Sequence, residues 1–292
     1  MSLYSIKHRL DDSVLFELEC GSLKLCVEAA VKSNANLTDA NLTNANLASA
    51  DLAWANLTNA NLSRANLVGA NLAWANLSNA YLVGADLAWA NLTNANLSRA
   101  NLVGADLANA NLASADLAWA NLAGADLADA NLANADLANA NLFNTCLVST
   151  YLTDANLAGA DLADANLARA HLAGAVNIPP SILRTTRADL FDVLLRAIPE
   201  VPALLTALRE GRVDGSTYEG DCACLCGTIA NVRGVNIDDL DFKDVNRPIE
   251  TWFYAIKKGD TPATNAAAKQ AEKWIVEFME LVGIADRLNR EG

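Results

Sequence analysis

Histidine is scarce in this chain of 292 residues, which contains only His8 and His171. Histidine is the usual base that activates a serine or cysteine nucleophile. The sequence also has no glycine-rich phosphate loop, no catalytic triad and no carboxylate pair at a recognisable spacing. We therefore predict a protein that is not an enzyme and that holds no cofactor or metal. His171 falls at an outward position of a repeat, where we expect it to be solvated.

Basic residues are in the minority. Lys and Arg number 21 against 34 Asp and Glu, which gives a net charge of −13, whereas nucleic-acid-binding proteins need basic patches. No apolar run approaches the ~20 residues of a membrane span, and residues 1–12 lack the apolar core of a signal peptide. The six cysteines do not form the framework of a small secreted fold. We expect a cytoplasmic protein that binds neither nucleic acid nor membrane.

What the chain has in abundance is a repeat of five residues over 35–174. Leucine occupies every fifth position from Leu37 to Leu172. Alanine stands two positions before each leucine except at Thr145 and Thr150. The position directly before the leucine is Asn in 17 repeats and Asp in 7. Internal repeats of this regularity dominate every other signal in a sequence.

A period of five fits neither regular secondary structure. Residues five apart lie about 140° apart around an α-helix, and on opposite faces of a strand. A chain that turns a corner in every repeat instead places all the leucines on one side. Alanine and leucine then face inward across a short extended piece, the Asn or Asp between them faces out, and the other two residues form the corner.

The motif Ala-(Asn/Asp)-Leu-X-X, seen in residues 40–44, resembles the pentapeptide-repeat family. The resemblance implies a right-handed quadrilateral β-helix with four repeats in each coil, so that the 28 repeats would make about seven coils. The predicted fold class is a mainly β solenoid with a small N-terminal α+β cap and a C-terminal α-helical domain.

Three domains follow from these patterns: a cap in 1–34, the β-helix in 35–175 and a helical domain in 176–292. In the cap, alternation predicts strands over Ser5–Leu10 and Val14–Glu19, and Ser22–Lys32 has helical spacing. We interpret this segment as covering the open end of the solenoid.

The C-terminal part has helical periodicity. We predict helices over Arg187–Ala197, Pro202–Glu210 and Pro248–Lys257, and a long helix that starts at Asp260-Thr261-Pro262 and runs to about Val282. The first should bury Leu190, Phe191, Leu194 and Leu195, and the last Ala271, Trp274, Ile275, Phe278, Met279 and Val282.

Three cysteines in 220–227 are the sharpest chemical candidate: Cys222, Cys224 and Cys226. The Asp-Cys pair at 221–222 superficially resembles the start of papain-like peptidoglycan hydrolases, but no histidine follows Cys222. A zinc site needs four ligands, and this spacing lacks a fourth partner. We interpret the three as small buried thiols on a helix.

Residues 20 apart should stack in a quadrilateral coil. Candidate surface features are an acidic ladder, a tryptophan pair and two exposed aromatic residues, namely Asp86, Asp106, Asp126, Trp54, Trp74, Phe143 and Tyr151. The two aromatic residues face outward near the last coils, where they would contact the following domain or another subunit.

A longer duplication bears on the function. Residues 50–70 are identical to residues 85–105, and an offset of 35 moves the copy by a quarter turn, so that Trp54 corresponds to Trp89 on another side. A duplication with this offset keeps the leucine and alanine core but moves the outward side chains to another side of the coil. It therefore favours a spacer over a patterned recognition surface. We predict a non-enzymatic scaffold that presents its helical domain to an unidentified protein partner, with a homodimer left open.

The resemblance also implies an alternative. The fluoroquinolone-resistance pentapeptide proteins act on DNA gyrase by imitating duplex DNA, and the acidic ladder would serve that role here. The aromatic core positions and the C-terminal dimerisation element of those relatives do not appear in this sequence. A DNA mimic that binds a topoisomerase is therefore the second hypothesis.

Overall fold

The computed structural model describes residues 2–167, 170–172, 175, 180–215, 224–240, 248–253 and 255–282. The chain forms two compact units: residues 1–167 with 175–179, and residues 168–174 with 180–292. The three-domain division drawn from the sequence stays a prediction.

The first unit begins with a hairpin and a helix. Strands β1 (Ser2–His8) and β2 (Val14–Cys20) pair antiparallel, and helix α1 spans Leu23–Lys32. The Ser22 side chain caps α1 by accepting a hydrogen bond from the Leu25 amide at 3.2 Å. Strand β1 also pairs with the short strand β3 (Ala40–Asn41), so the sheet order is β2-β1-β3.

The five-residue repeats form a solenoid whose coil contains 20 residues. Parallel bridges join residues 20 apart, from Asn41 with Asn61 to Cys146 with Asn166. The Leu42 amide donates to the Asn61 carbonyl at 2.7 Å, and the Asn61 amide donates to the Ala40 carbonyl at 2.8 Å. Because this pattern recurs coil after coil, the backbone satisfies its own hydrogen bonds along the stack.

The repeat leucines are buried along one common axis, as the five-residue period predicts. From Leu37 to Leu162 each is at most 4% exposed. Thr145 and Thr150 replace alanine at inward positions and are also buried. Their hydroxyls donate to the carbonyls of Leu122 at 3.0 Å and Leu127 at 2.8 Å, which removes the cost of burying a polar group.

Each corner uses a left-handed backbone conformation. Every fifth residue from Asp39 to Asp164 has φ between +54° and +68°, and only some of these residues are glycine. The Ala45 amide closes one such turn on the Leu42 carbonyl at 3.1 Å. Positive φ at the third residue is typical of a type II turn. Sequence reasoning located the corners but did not anticipate this conformation.

The outward Asn or Asp supports the corner that follows it. Its side-chain oxygen accepts the amide of the residue two positions later, as in Asn61 with Ser63 at 3.1 Å and Asp106 with Ala108 at 2.9 Å. This Asx turn requires a short side chain that carries an oxygen at the γ position. The preference for Asn and Asp therefore has a conformational cause beyond solvation.

The second unit contains five α-helices and two 3-10 turns among its described residues. The helices are α2 (Pro180–Leu195), α3 (Val201–Arg209), α4 (Leu225–Arg233), α5 (Pro248–Phe253) and α6 (Ala266–Leu281), and the turns are Ile198–Glu200 and Ile237–Asp239. The predicted helical character of this region is confirmed, and α4 is the helix expected at the cysteines, although its bounds were not predicted.

The predicted start of the last helix is wrong. The cap is Asn265, whose side chain accepts the Ala268 amide at 3.0 Å, and α6 begins at Ala266. Asp260 does not cap a helix, because its carboxylate accepts from the Lys257 amide and the Asn265 side chain, both at 2.8 Å.

The predicted core faces are mostly correct. Leu190 and Leu194 are buried, but Leu195 is 57% exposed because α2 ends there. The predicted face of α6 is buried through Met279, and Val282 is half-buried just beyond the helix. Helix α5 ends at Phe253, before the predicted limit at Lys257.

One ion pair lies mostly out of solvent. Arg233 donates through Nε to Glu200 at 2.9 Å and through Nη2 at 3.3 Å, and the Glu200 side chain is 10% exposed. The hydrogen bonds from Arg233 hold the pKa of Glu200 below its usual value of 4.5. The pair links the start of α3 to the end of α4.

A first prediction concerns the corners. Replacing Ser114 (φ +58°) with Val should cost about 1–2 kcal/mol, because a β-branched residue is strained in the left-handed region. The matched control is Ala113→Val, since valine already stands at the equivalent positions 68, 83, 103 and 148. Chemical denaturation should separate the two variants. Equal stability of the two would contradict the argument.

A second prediction concerns pH. A carboxyl group whose pKa is lowered on folding stabilises the folded state above its unfolded pKa, and this contribution is lost as the pH falls through the folded value. The α3 and α4 amides should therefore exchange faster as the pH drops below about 4.5. After correction for intrinsic exchange, Glu200→Gln should weaken this dependence and Glu210→Gln should leave it unchanged. An unchanged acid response in Glu200→Gln would refute the assignment.

Candidate interaction surface

The acidic ladder lies on one face of the coil. Asp86 bridges Asp106, and Asp106 bridges Asp126, at the ~4.8 Å spacing of paired strands. The column continues to Asn66 on one side and Cys146 on the other. One oxygen of each carboxylate accepts the amide two residues later, at 2.9 to 3.2 Å. Within the described part of the chain, none of the three forms a salt bridge.

In columns where asparagine residues are stacked, unlike in the acidic ladder, side chains of successive coils form hydrogen bonds with each other. The Asn71 amide donates to Asp51 at 3.1 Å, and the Asn91 amide donates to Asn71 at 3.2 Å. An Asp stacked on an Asp has no such donor, and like charges at this separation repel. The acidic column is therefore less favourable for the solenoid than an asparagine column would be.

The predicted tryptophan pair is present at one corner. The Trp54 and Trp74 rings are stacked with centroids 5.1 Å apart and planes 3° apart. Trp89 and Trp119 occupy two other corners and are 67% and 62% exposed. All four have φ between +61° and +65°. Bulky residues seldom adopt this conformation. The solenoid of repeats, called the rod below, therefore exposes its largest side chains at strained positions.

The predicted residues do not form one site. Phe143 and Tyr151 are 45% and 47% exposed but lie on opposite sides of the coil, because faces repeat every 20 residues. The acidic column lies on a third side, away from the Trp54 corner. The structure thus brings together the three Asp residues and the two Trp residues as separate groups. Whether either group binds a partner stays a prediction.

Tyr81 has a role that sequence reasoning missed. It takes the outward Asn position, and the Arg9 guanidinium from the hairpin lies 4.9 Å from its ring centroid. Arg9 also bonds to Asp39 at 2.9 Å, and this bond is the main reason why the pKa of Arg9 is raised. The interruption of the Asn/Asp pattern at Tyr81 was the available signal.

Two cysteines of the helical unit, Cys224 and Cys226, are packed in the interior. Cys224 and Cys226 are each 1% exposed, and the Cys224 sulfur caps α4 by accepting the Gly227 amide at 3.4 Å. Cys222 lies outside the described residues. The part of the chain that the structure describes contains no cluster of three or more metal-binding side chains.

His171 is half-buried, so the expectation that it is solvated is wrong. Burial, and then the charge of Lys257, lowers the pKa of His171. Among the described residues, no helix is both long enough and apolar enough to span a bilayer.

The fold and its surface define a β-helical repeat protein. The family model for pentapeptide repeats matches residues 35–72, 70–109, 110–147 and 150–176 in eight copies. The chain belongs to the pentapeptide-repeat family, and a right-handed β-helix is the architecture of its repeat region. None of the proteins with a curated function matches the chain.

Several solved structures are similar to part of the chain. HetL from Nostoc sp. strain PCC 7120, involved in heterocyst differentiation regulation, is 34% identical over 44% of this chain and 71% of its own, with a TM-score of 0.30. AT2G44920 from the Arabidopsis thaliana thylakoid lumen is 34% identical over 32% and 68%, with a TM-score of 0.27. QnrB1, a plasmid-mediated fluoroquinolone resistance protein, is 18% identical over 39% and 69%, with a TM-score of 0.25.

A third prediction concerns the stacked tryptophans. A double-mutant cycle with Trp54→Ala and Trp74→Ala should give a coupling of about 0.5–1 kcal/mol in unfolding, the usual value for a stacked aromatic pair. Trp89→Ala with Trp119→Ala is the matched control, since these rings lie at different corners, and it should give no coupling. Additive effects in the first cycle would show that the stacking does not stabilise the rod.

Proposed function

We propose that the protein is a non-enzymatic scaffold in which the β-helix is a spacer and the helical unit binds a protein partner. The observation that carries this proposal is the duplication of residues 50–70 in 85–105. With a 20-residue coil, Trp54 stacks on Trp74, whereas its copy Trp89 lies at another corner. The growth of the rod kept its core and did not keep a surface pattern.

The helical unit has features that suit a binding role. Several of its apolar side chains are exposed: Leu195 (57%), Val232 (45%), Val235 (39%) and Leu281 (68%). The rod also exposes large side chains, its four tryptophans among them, but these lie at three different corners and do not form one continuous surface. Cys20, Cys26 and Cys146 are thiols rather than disulfides, which supports a cytoplasmic location.

Residues 1–34 act, in this proposal, as a cap on a solenoid of about seven coils. Strand β1 pairs with β3 through His8 and Ala40. From α1, the Lys24 ammonium donates to the Ala48 and Ser49 carbonyls at 2.9 and 3.0 Å. The Glu28 carboxylate accepts the Asp51 amide at 3.0 Å. These bonds satisfy backbone groups that an uncovered end would leave to water or to another chain.

A fourth prediction tests the spacer with full-length proteins. Deleting residues 91–110 removes one coil in register, and deleting residues 91–105 turns all later coils by a quarter turn. A spacer should keep its partner in both deletions, whereas Leu195→Ser with Val232→Ser should weaken binding at least tenfold. Affinity capture with quantitative mass spectrometry measures the retained partner. Retention by the first deletion and loss by the second would show that the partner recognises the rod.

The alternative is a DNA mimic that binds gyrase or another topoisomerase, for which the carboxylate column is the supporting observation. A supercoiling assay with purified protein distinguishes the two proposals. A mimic should inhibit at micromolar concentration and lose the effect when Asp86, Asp106 and Asp126 are replaced by Asn, a change that the asparagine columns show the fold accepts. A scaffold should leave supercoiling unchanged.

A further inference from the structure

Two thiols lie near each other where α1 packs on the hairpin. Cys20 ends β2 and pairs with Ser2, which places its side chain on the same hairpin face as Tyr4. Cys26 lies on the buried side of α1, and its thiol donates to the Tyr4 carbonyl at 3.3 Å. The Cys20 thiol donates to the Ser22 carbonyl at 3.1 Å.

The two groups are buried and near each other. Cys20 is 8% exposed and Cys26 is 0% exposed. Burial, and after it the nearby Cys20 thiol, raises the pKa of the Cys26 thiol. Because a thiolate is the attacking species, the raised pKa slows attack by Cys26 on an external disulfide. Neither thiol takes part in the solenoid core.

We propose that Cys20 and Cys26 form a reversible disulfide that locks α1 to the hairpin when the surrounding thiol pool becomes oxidising. Five residues separate the two cysteines, so the bond closes a small loop across the β2–α1 connection. Cytosolic disulfides, where they occur, are typically redox-sensing. The proposal is independent of the scaffold function.

The oxidant that we name is a low-molecular-weight disulfide such as oxidised glutathione. The Cys20 thiolate attacks one glutathione sulfur, and the glutathione disulfide bond breaks to release one glutathione thiolate. The Cys26 thiolate then attacks the Cys20 sulfur of the mixed disulfide and releases the second. The two protons lost by the protein thiols end on the two released glutathiones, so one protein dithiol is oxidised and one glutathione disulfide is reduced.

The disulfide would also affect the solenoid, because α1 contacts its first coils. Lys24 lies inside the loop that the bond would close, and Glu28 lies two residues beyond Cys26. Both contact the backbone of residues 48–51. A bond that restrains the start of α1 therefore restrains the contacts between α1 and the first coils.

The test uses the full-length protein incubated with oxidised glutathione, then quenched with N-ethylmaleimide in denaturant and digested with trypsin. Cleavage at Arg9, Lys24 and Lys32 places Cys20 in peptide 10–24 and Cys26 in peptide 25–32. We expect these peptides to be linked and a thiol reductant to release them. Cys146, a half-buried thiol on the rod, should carry glutathione or the alkylating group but should link to neither peptide.

Two further measurements distinguish a disulfide from a glutathione adduct. Cys26→Ser should stop at a glutathione adduct on Cys20, and Cys26→Ala should do the same if serine disturbs the packing. In wild type, oxidation should slow hydrogen exchange of the α1 amides about tenfold. The proposal is overturned if both peptides remain alkylated while Cys146 is modified, if wild type accumulates the same Cys20 adduct as Cys26→Ser, or if linkage leaves α1 exchange unchanged.

Discussion

The burial of one leucine in every five residues along a common axis is the constraint on which the rod depends. A straight helix or strand cannot satisfy it, so the backbone must turn at every repeat. Each described turn from Asp39 to Asp164 meets this demand with a residue in the left-handed region. The cost of that conformation recurs at every corner, and the continuous core from Leu37 to Leu162 offsets it.

This constraint limits what the rod can display. The outward position must carry an oxygen that accepts the amide two residues later, which explains why Asn and Asp dominate it. The corner position excludes β-branched residues but admits Trp and Arg as well as Gly, Asn, Asp and Ser. The surface therefore uses few residue types, and the features that distinguish this rod from a uniform one are the Trp54 and Trp74 stack and the column of Asp86, Asp106 and Asp126.

Helix bounds, caps and long-range contacts at the ends of the repeat region and in the helical unit were harder to predict from the sequence than the repeats. Helix α4 was expected from the cysteines, but its start was not located, because its cap is Cys224, a residue type that sequence rules do not treat as a helix start. Asp260 resembled a helix cap, but its carboxylate accepts a hydrogen bond from the Lys257 amide. The residue that caps α6 is Asn265. The contact between Arg9 and Tyr81 joins residues far apart in sequence, so no local pattern could reveal it. The predicted surface residues were located correctly on their columns, but the coil spreads them over different sides.

The sequence alone determined the repeat length, the buried leucine axis and the stacking of residues 20 apart, because a strict period leaves one common inward direction. It also determined the helical character of the C-terminal unit through the spacing of its apolar residues. Only the tertiary structure decided the left-handed corners, the hydroxyl bonds of Thr145 and Thr150, and the meeting of Cys20 with Cys26. These depend on backbone dihedral angles and on contacts between separate elements, which a residue pattern does not specify.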